Sequence, residues 1–140
     1  MPIIGSFTYI RPHLEYAIQA LSPYLKGDID KLEKVQRRAT RLISGYKRPP
    51  YDERLRRLGL TTLIQRRLRG DLIEAYKIIT GKEHINSNQF FTPYTGIYNT
   101  RGHCHKLETT RSRLELRRNF FSQRVVRHWN KLSDNVVNAS

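Results

Sequence analysis

Asp28–Ser44, with the sequence DIDKLEKVQRRATRLIS, is the stretch that decides the fold of this 140-residue chain. Its apolar residues recur at spacings of three and four, which predicts an amphipathic helix with Asp28 as N-cap and Gly45 as its C-terminal stop. The face predicted to meet the core carries Ile29, Leu32, Val35, Ala39, Leu42 and Ile43. The opposite face carries a continuous row of basic side chains, which we call the basic ridge: Lys31, Lys34, Arg38 and Arg41. Because burying unpaired charge is costly, the ridge is expected to face solvent or an anionic partner.

The same period predicts further helices on both sides of this stretch. They are expected at 12–25, 52–58, 63–80 and 116–132. The core face predicted for the last of them carries Phe121, Val125, Val126, Trp129 and Leu132. Pro12 suits the first position of a helix, and Pro23 is expected to disturb the last turn of the same helix. Thr62 is the predicted N-cap of the helix over 63–80, and Gly81 is its predicted stop.

Between the last two helices we predict a long irregular loop that could hold a short strand or hairpin at Lys106–Thr110, because turn-forming residues dominate there and no helical period survives. The fold class is therefore mainly α, with four to five amphipathic helices in a small bundle. We expect a single domain over 1–140. Its parts are a helical region, the loop, a C-terminal helix and a frayed tail, at 11–81, 82–115, 116–132 and 133–140.

The chain carries 26 Lys or Arg against 12 Asp or Glu, a formal net charge of +14. Between Lys34 and Arg69 there are twelve basic residues, and only Asp52 and Glu53 oppose them. Such an excess on a folded body is typical of proteins that bind a polyanion such as nucleic acid. One cysteine excludes an internal disulfide framework, and no stretch reaches the length of a membrane span. We expect a nuclear or cytoplasmic protein that is not secreted and has no membrane partner.

No constellation of residues predicts catalysis. Metal-dependent polymerases and nucleases hold Mg²⁺ between clustered carboxylates, and the acids here are scattered. His103, Cys104 and His105 are adjacent, so their side chains point in different directions and lack the spacing of a zinc site. We interpret them as polar loop residues after a turn at Arg101 and Gly102. The sequence predicts no cofactor, no metal site and no enzyme activity in this chain.

Basic groups interleaved with aromatic rings predict nucleic-acid binding through the phosphate backbone. The candidate phosphate contacts are Lys34, Arg38, Arg41, Lys47, Arg48, Arg66, Arg67, Arg124 and Arg127. The candidate stacking residues are Tyr46 and Tyr51. Two plainer interpretations stay open: the ridge as a solvated helix face, and Tyr51 as a packing residue at the head of a short helix.

Six blocks of sequence carry a family resemblance, in this order: RPHLEYA at 11–17, LEKVQRRAT at 32–40, YDERL at 51–55, RRLRGDL at 66–72, TRGH at 100–103 and NFFS at 119–122. Their order and spacing resemble the C-terminal part of the reverse transcriptase polyprotein of LINE-type, non-LTR retrotransposons of the jockey and chicken-repeat kind. The resemblance covers roughly residues 9 to 139.

The resemblance implies a segment downstream of the palm, in the thumb and C-terminal extension of an RNA-directed DNA polymerase. The palm of that family carries paired catalytic aspartates, and this chain has no Asp-Asp pair. We therefore expect a non-catalytic fragment, from a truncated copy of the transposable element, that binds RNA or an RNA–DNA template-primer. Its other implied partner is the missing palm, and we expect a monomer. The alternative is an inert structural fragment that folds only against the palm and binds nothing by itself.

Overall fold

The computed structural model describes residues 12–97 and 101–139, and these are mainly helical, as predicted. They group into two compact units, of which the first ends at Arg69 and the second begins at Gly70. The boundary lies inside one continuous helix. The single domain expected over 1–140 stays a prediction.

The first unit contains a helical turn at 12–15 and the helices α1 to α3, followed by the start of α4. The helices are α1 (Ile18–Leu21), α2 (Lys26–Leu42), α3 (Tyr51–Arg57) and α4 (Leu63–Ile79). The continuous helix predicted over 12–25 is wrong, because Ala17 adopts a left-handed conformation with φ 45° that interrupts it. Ser22 is extended and precedes Pro23, which ends α1.

Helix α2 begins three residues earlier than predicted. Asp28 is therefore not the N-cap, a position held by Leu25, and lies in the first turn. Its carboxylate accepts a hydrogen bond from Lys31 Nζ at 3.0 Å and still complements the helix dipole. After the helix ends, Gly45 has φ 84°, the left-handed conformation that glycine adopts readily.

The buried face of α2 is rotated from the one that the apolar pattern predicts. Ala39 and Ile43 are buried as expected, but Val35 is 46% exposed and Leu42 is 76% exposed. Polar side chains take their place on the buried face: Glu33, Gln36 and Thr40. Their hydrogen-bond partners lie in α3 and in the residues that surround it, so hydrogen bonding rather than hydrophobicity sets the orientation of this helix.

Helices α3 and α4 agree with the prediction to within one residue at each end. The Oγ1 atom of Thr62 accepts the backbone N–H of Gln65 at 3.3 Å, which confirms Thr62 as the cap of α4. Gly81 follows the helix with φ 70°, which confirms it as the stop.

The second unit is built around a hydrophobic core. Besides the end of α4 it contains α5 (Glu115–Arg118), α6 (Phe121–Trp129) and α7 (Asp134–Val137). The buried core residues are Ala75, Ile78, Phe91, Leu107, Phe121, Val125, Val126, Trp129 and Val137. Four of them come from α6, so the predicted core face of the C-terminal helix is confirmed.

Two predictions about the C-terminal region are wrong. The continuous helix over 116–132 is broken at Phe120, which is extended with ψ 146° and starts α6. The tail over 133–140 is not frayed in the part that the structure describes, because α7 buries Val137 in the core. The Tyr76 hydroxyl also donates a hydrogen bond to the carbonyl of Ala139 at 2.9 Å.

The loop between α4 and α5 is irregular, as predicted, with one turn of 3₁₀ helix at Ser87–Gln89. The candidate strand at Lys106–Thr110 is reduced to a single antiparallel bridge between Pro93 and Leu107. The side chain of Asn130 holds the same point of the loop, since it accepts the N–H of Leu107 at 3.0 Å and donates to its carbonyl at 2.9 Å.

Candidate nucleic-acid interface

The basic ridge lies on the exposed face of α2. Lys34, Arg38 and Arg41 are exposed and make no ion pair with any residue that the structure describes. The fourth member, Lys31, is exposed but pairs with Asp28. With a rise of 1.5 Å per residue, Lys34 and Arg41 stand about 10 Å apart along the helix axis. Three cations without an ion pair to a described residue are therefore presented along one helix.

The turn after α2 carries two more exposed cations. Lys47 and Arg48 are exposed and likewise have no acidic partner in the described part of the chain. Tyr46, a candidate stacking residue, is half-buried. Five of the nine candidate phosphate contacts thus lie exposed between Lys34 and Arg48, and no acidic residue occurs between Lys34 and Pro50 to neutralise them.

Three other candidate phosphate contacts are engaged by groups of the protein itself, which makes them less available to a phosphate. Arg66 pairs with Glu15. Arg67 is buried and donates to the carbonyl of Leu14 at 3.0 Å. A single sequence does not show these partners, because they lie about fifty residues away along the chain.

Arg124 is the third. It holds the buried carboxylate of Asp71 with two hydrogen bonds, from Nε at 2.8 Å and from Nη2 at 2.9 Å. Its Nη1 donates to the carbonyl of Asn119 at 2.9 Å. This bidentate pair is a structural link within the second unit. Arg127, three residues further, is exposed and has no ion pair with a described residue.

Tyr51 is a packing residue of a polar network rather than a free stacking ring. Its hydroxyl donates to Glu33 Oε1 at 2.5 Å and accepts from Gln36 Nε2 at 3.0 Å. The second oxygen of Glu33 accepts the backbone N–H of Leu63 at 3.0 Å, and Gln36 also donates to the carbonyl of Thr61 at 3.1 Å. Burial, together with the hydrogen bond to Glu33, raises the pKa of the Tyr51 hydroxyl.

Arg54 continues the network on the other side of Tyr51. Its guanidinium is buried, donates to Thr40 Oγ1 at 3.2 Å and to the carbonyl of Pro49 at 2.8 Å, and lies 5.5 Å from the centroid of the Tyr51 ring. The guanidinium of Arg37 lies 4.9 Å from the same centroid. Two cations already occupy the neighbourhood of this ring, which leaves it poorly placed to stack on a base.

The burial of these polar residues was not predicted from the sequence. A signal for them exists: Glu33, Gln36 and Thr40 recur at spacings of three and four, the same period as an apolar face. Tyr51 and Arg54 are three residues apart on the facing helix. The network fixes the rotation of α2 and thereby turns the basic ridge outward.

His103 has a structural role that the interpretation as a polar loop residue does not include. It is 2% exposed, its ring packs edge-on against Trp129 with centroids 5.7 Å apart, and its Nε2 donates to the carbonyl of Trp129 at 2.9 Å. Trp129 in turn donates from Nε1 to the carbonyl of His105 at 2.8 Å. Cys104, between the two histidines, is exposed. The segment anchors the loop to the core.

Neither a metal site nor a membrane helix is found in 12–97 and 101–139. No group of three or more metal-ligating side chains comes together among these residues. None of their helices is both long enough and apolar enough to cross a membrane.

Comparisons of the chain with protein-family models, with curated proteins and with solved structures find no match. The resemblance to retrotransposon reverse transcriptases therefore rests on the sequence blocks themselves. Two of these blocks, at 32–40 and 51–55, supply both sides of the polar network around Tyr51.

Proposed function

We propose that this chain is a non-catalytic nucleic-acid-binding segment of a LINE-type reverse transcriptase, which binds an RNA–DNA template-primer or RNA through the basic ridge and the turn that follows it. The observation that supports this most strongly is the set of five exposed, unpaired cations in one continuous segment without an acid: Lys34, Arg38, Arg41, Lys47 and Arg48.

Binding of this kind works through the phosphate backbone. Lysine and arginine side chains on a rigid helix neutralise phosphates and release their counterions, which gives affinity with little preference for sequence. The polar network contributes by fixing the rotation of α2, so that the ridge is ordered before a ligand arrives and less conformational entropy is lost on binding. The chain would hold the template-primer while the palm, implied by the resemblance, supplies the chemistry.

A titration with a fluorescein-labelled RNA–DNA hybrid, followed by fluorescence anisotropy, tests the proposal. If the five cations each engage one phosphate, a fourfold rise in salt should weaken binding about 500-fold. The triple variant K34Q/R38Q/R41Q should bind at least tenfold more weakly at the lower salt. A matched control with the same loss of charge at exposed positions outside the ridge, R56Q/R69Q/K131Q, should retain most of the affinity.

Two outcomes of that titration contradict the proposal. One is the absence of binding below about 100 μM, a weaker affinity than non-specific DNA binding normally reaches. The other is an equal loss of affinity in the ridge variant and the control, because it would show that net charge alone, and not the placement of the ridge, determines binding.

An inert structural fragment that needs the palm for its stability is the second candidate. The observation that favours it is a set of large exposed apolar side chains before Gly27: Tyr16, Leu21 and Leu25, which are 74%, 66% and 55% exposed. On this account the isolated chain aggregates slowly, and its amides before Gly27 exchange hydrogen rapidly. Slow exchange in that segment, together with salt-dependent binding, would exclude it.

A further inference from the structure

A polar groove with a volume of about 1000 Å³ lies in the second unit. One part of its lining is the irregular segment 108–113, and the other part is formed by α5, α6 and the break between them at Asn119. Every lining residue belongs to this unit. The groove is therefore a feature separate from the basic ridge of α2.

The charge of the groove is positive and largely unpaired. Five arginines and only two acids, Glu108 and Glu115, line it. Arg111, Arg113 and Arg127 are exposed and form no ion pair within the described ranges. A fourth, Arg118, donates from Nε to the carbonyl of Ser112 at 2.8 Å, which ties α5 to the irregular segment. The fifth is Arg124, which is already engaged by Asp71.

The neutral lining is rich in hydrogen-bonding groups. Thr109, Thr110, Ser112 and Ser122 contribute hydroxyls, and the one apolar lining residue, Val126, is buried. The side-chain oxygen of Gln123 is buried beside the groove and accepts no hydrogen bond from a described residue. Buried acceptors without a donor are uncommon in folded proteins.

From these features we infer that the groove is a second binding site, specific for unpaired nucleic acid, which holds a short stretch of single-stranded RNA or DNA. The inference extends the proposed function and takes the class of ligand from it. Arginine forks and hydroxyls are the groups that bind phosphodiester oxygens, and guanidinium planes stack on unpaired bases. Arginine clusters also recognise acidic peptides, so an acidic peptide is the competing ligand that the experiment has to exclude.

The form of the nucleic acid follows from the shape of the site. A concave groove of this volume admits an extended strand. Guanidinium planes stack on bases only where these are unpaired, so a duplex can use the phosphate contacts of the groove but not its stacking contacts. The ridge of α2 presents exposed cations along one helix, which can contact the phosphates of a hybrid without reaching its bases. The two surfaces are thus expected to prefer different ligands.

The experiment compares two ligands on two variants that each lose three positive charges. One ligand is a labelled oligouridylate, which does not pair with itself, and the other is the RNA–DNA hybrid. The groove variant R111Q/R113Q/R127Q should bind oligouridylate at least tenfold more weakly and the hybrid within about threefold of the parent chain. For oligouridylate, the slope of log K against log salt should be smaller in magnitude by about 2 in this variant, since each phosphate contact on a single strand contributes about 0.7.

The ridge variant K34Q/R38Q/R41Q should show the reverse pattern, and circular dichroism should show unchanged helix content in both variants. An unchanged affinity of the groove variant for oligouridylate overturns the inference and leaves the proposed function standing. An unchanged affinity of the ridge variant for the hybrid overturns the proposed function instead. Displacement of oligouridylate by a polyglutamate peptide at equal charge concentration would also overturn the inference, because it would identify a site for any polyanion.

Discussion

Different interactions stabilise the two units of this chain. In the first, the buried face of α2 is mostly polar, and Glu33, Gln36 and Thr40 hydrogen-bond to α3 and the residues around it. In the second, Trp129 and Phe121 belong to a contiguous hydrophobic core. A buried polar network is directional, because each hydrogen bond requires one rotation of the helix that carries it. The first unit therefore orients a charged surface, while the second provides a stable body.

The largest expected effect concerns the hydrophobic core. Trp129→Ala should lower the free energy of unfolding by about 3–5 kcal/mol, since it removes a large side chain that is 1% exposed. It also removes the Nε1 hydrogen bond to the carbonyl of His105. Urea unfolding followed by circular dichroism measures the loss. The control, Phe120→Ala, replaces a ring that is 55% exposed and should cost less than about 1 kcal/mol.

The polar network should give the next largest effect. Glu33→Ala removes the acceptor of both the Tyr51 hydroxyl and the Leu63 N–H, and it should cost about 2–3 kcal/mol because buried donors are left unpaired. The matched control is Glu53→Ala, which removes an exposed carboxylate paired with Arg57 and should cost less than about 1 kcal/mol. Equal losses in the two variants would show that the network contributes no more than a surface ion pair.

Raising the pH should have a smaller effect on the free energy of unfolding. The pKa of Tyr51 is raised in the folded chain from its ordinary value near 10.0, chiefly by burial. Above that pH the unfolded chain releases the proton first, so this contribution to stability is complete below pH 10 and is lost as the pH rises. Through this group the free energy of unfolding should fall by at most about 1.4 kcal/mol per pH unit.

The variant Tyr51→Phe isolates this contribution. Its free energy of unfolding, measured in urea between pH 9 and pH 11.5, should fall less steeply above pH 10 than that of the parent chain. Parallel curves for the two proteins would contradict the assignment of the hydroxyl as a buried donor to Glu33.

The smallest effect tests the rotation of α2. The apolar pattern places Leu42 on the core face, but the side chain is 76% exposed. Leu42→Ala should therefore change the free energy of unfolding by less than about 0.5 kcal/mol, the range of ordinary surface substitutions. A loss of 2 kcal/mol or more in the free energy of unfolding is typical of a buried leucine, and it would show that Leu42 lies on the buried face, as the hydrophobic pattern predicts.

Much of the fold could be predicted from local signals. The helical class, the extent of α4 between Thr62 and Gly81, and the core face of α6 all follow from period and capping, and the structure confirms them. The breaks at Ala17 and Phe120 could not be predicted, because nothing in the local sequence excludes a helix there. These points depend on tertiary context rather than on propensity.

Only part of the candidate site could be predicted, because the sequence shows local patterns but not tertiary contacts. Exposure of the ridge follows from charge and helical period, which a single sequence displays. The pairing of Arg66, Arg67 and Arg124 depends on groups that the fold brings from distant positions, namely Glu15, the Leu14 carbonyl and Asp71. A single sequence therefore does not distinguish a paired arginine from an unpaired one.

The measurement that tests the central claim most directly is the salt dependence of hybrid binding for the parent chain and for K34Q/R38Q/R41Q. Each phosphate contact that is lost should reduce the slope of log K against log salt by about 1. The account predicts a slope about 3 smaller in magnitude for the variant than for the parent chain. Equal slopes for the two proteins would show that the basic ridge does not contact phosphate and would contradict the account.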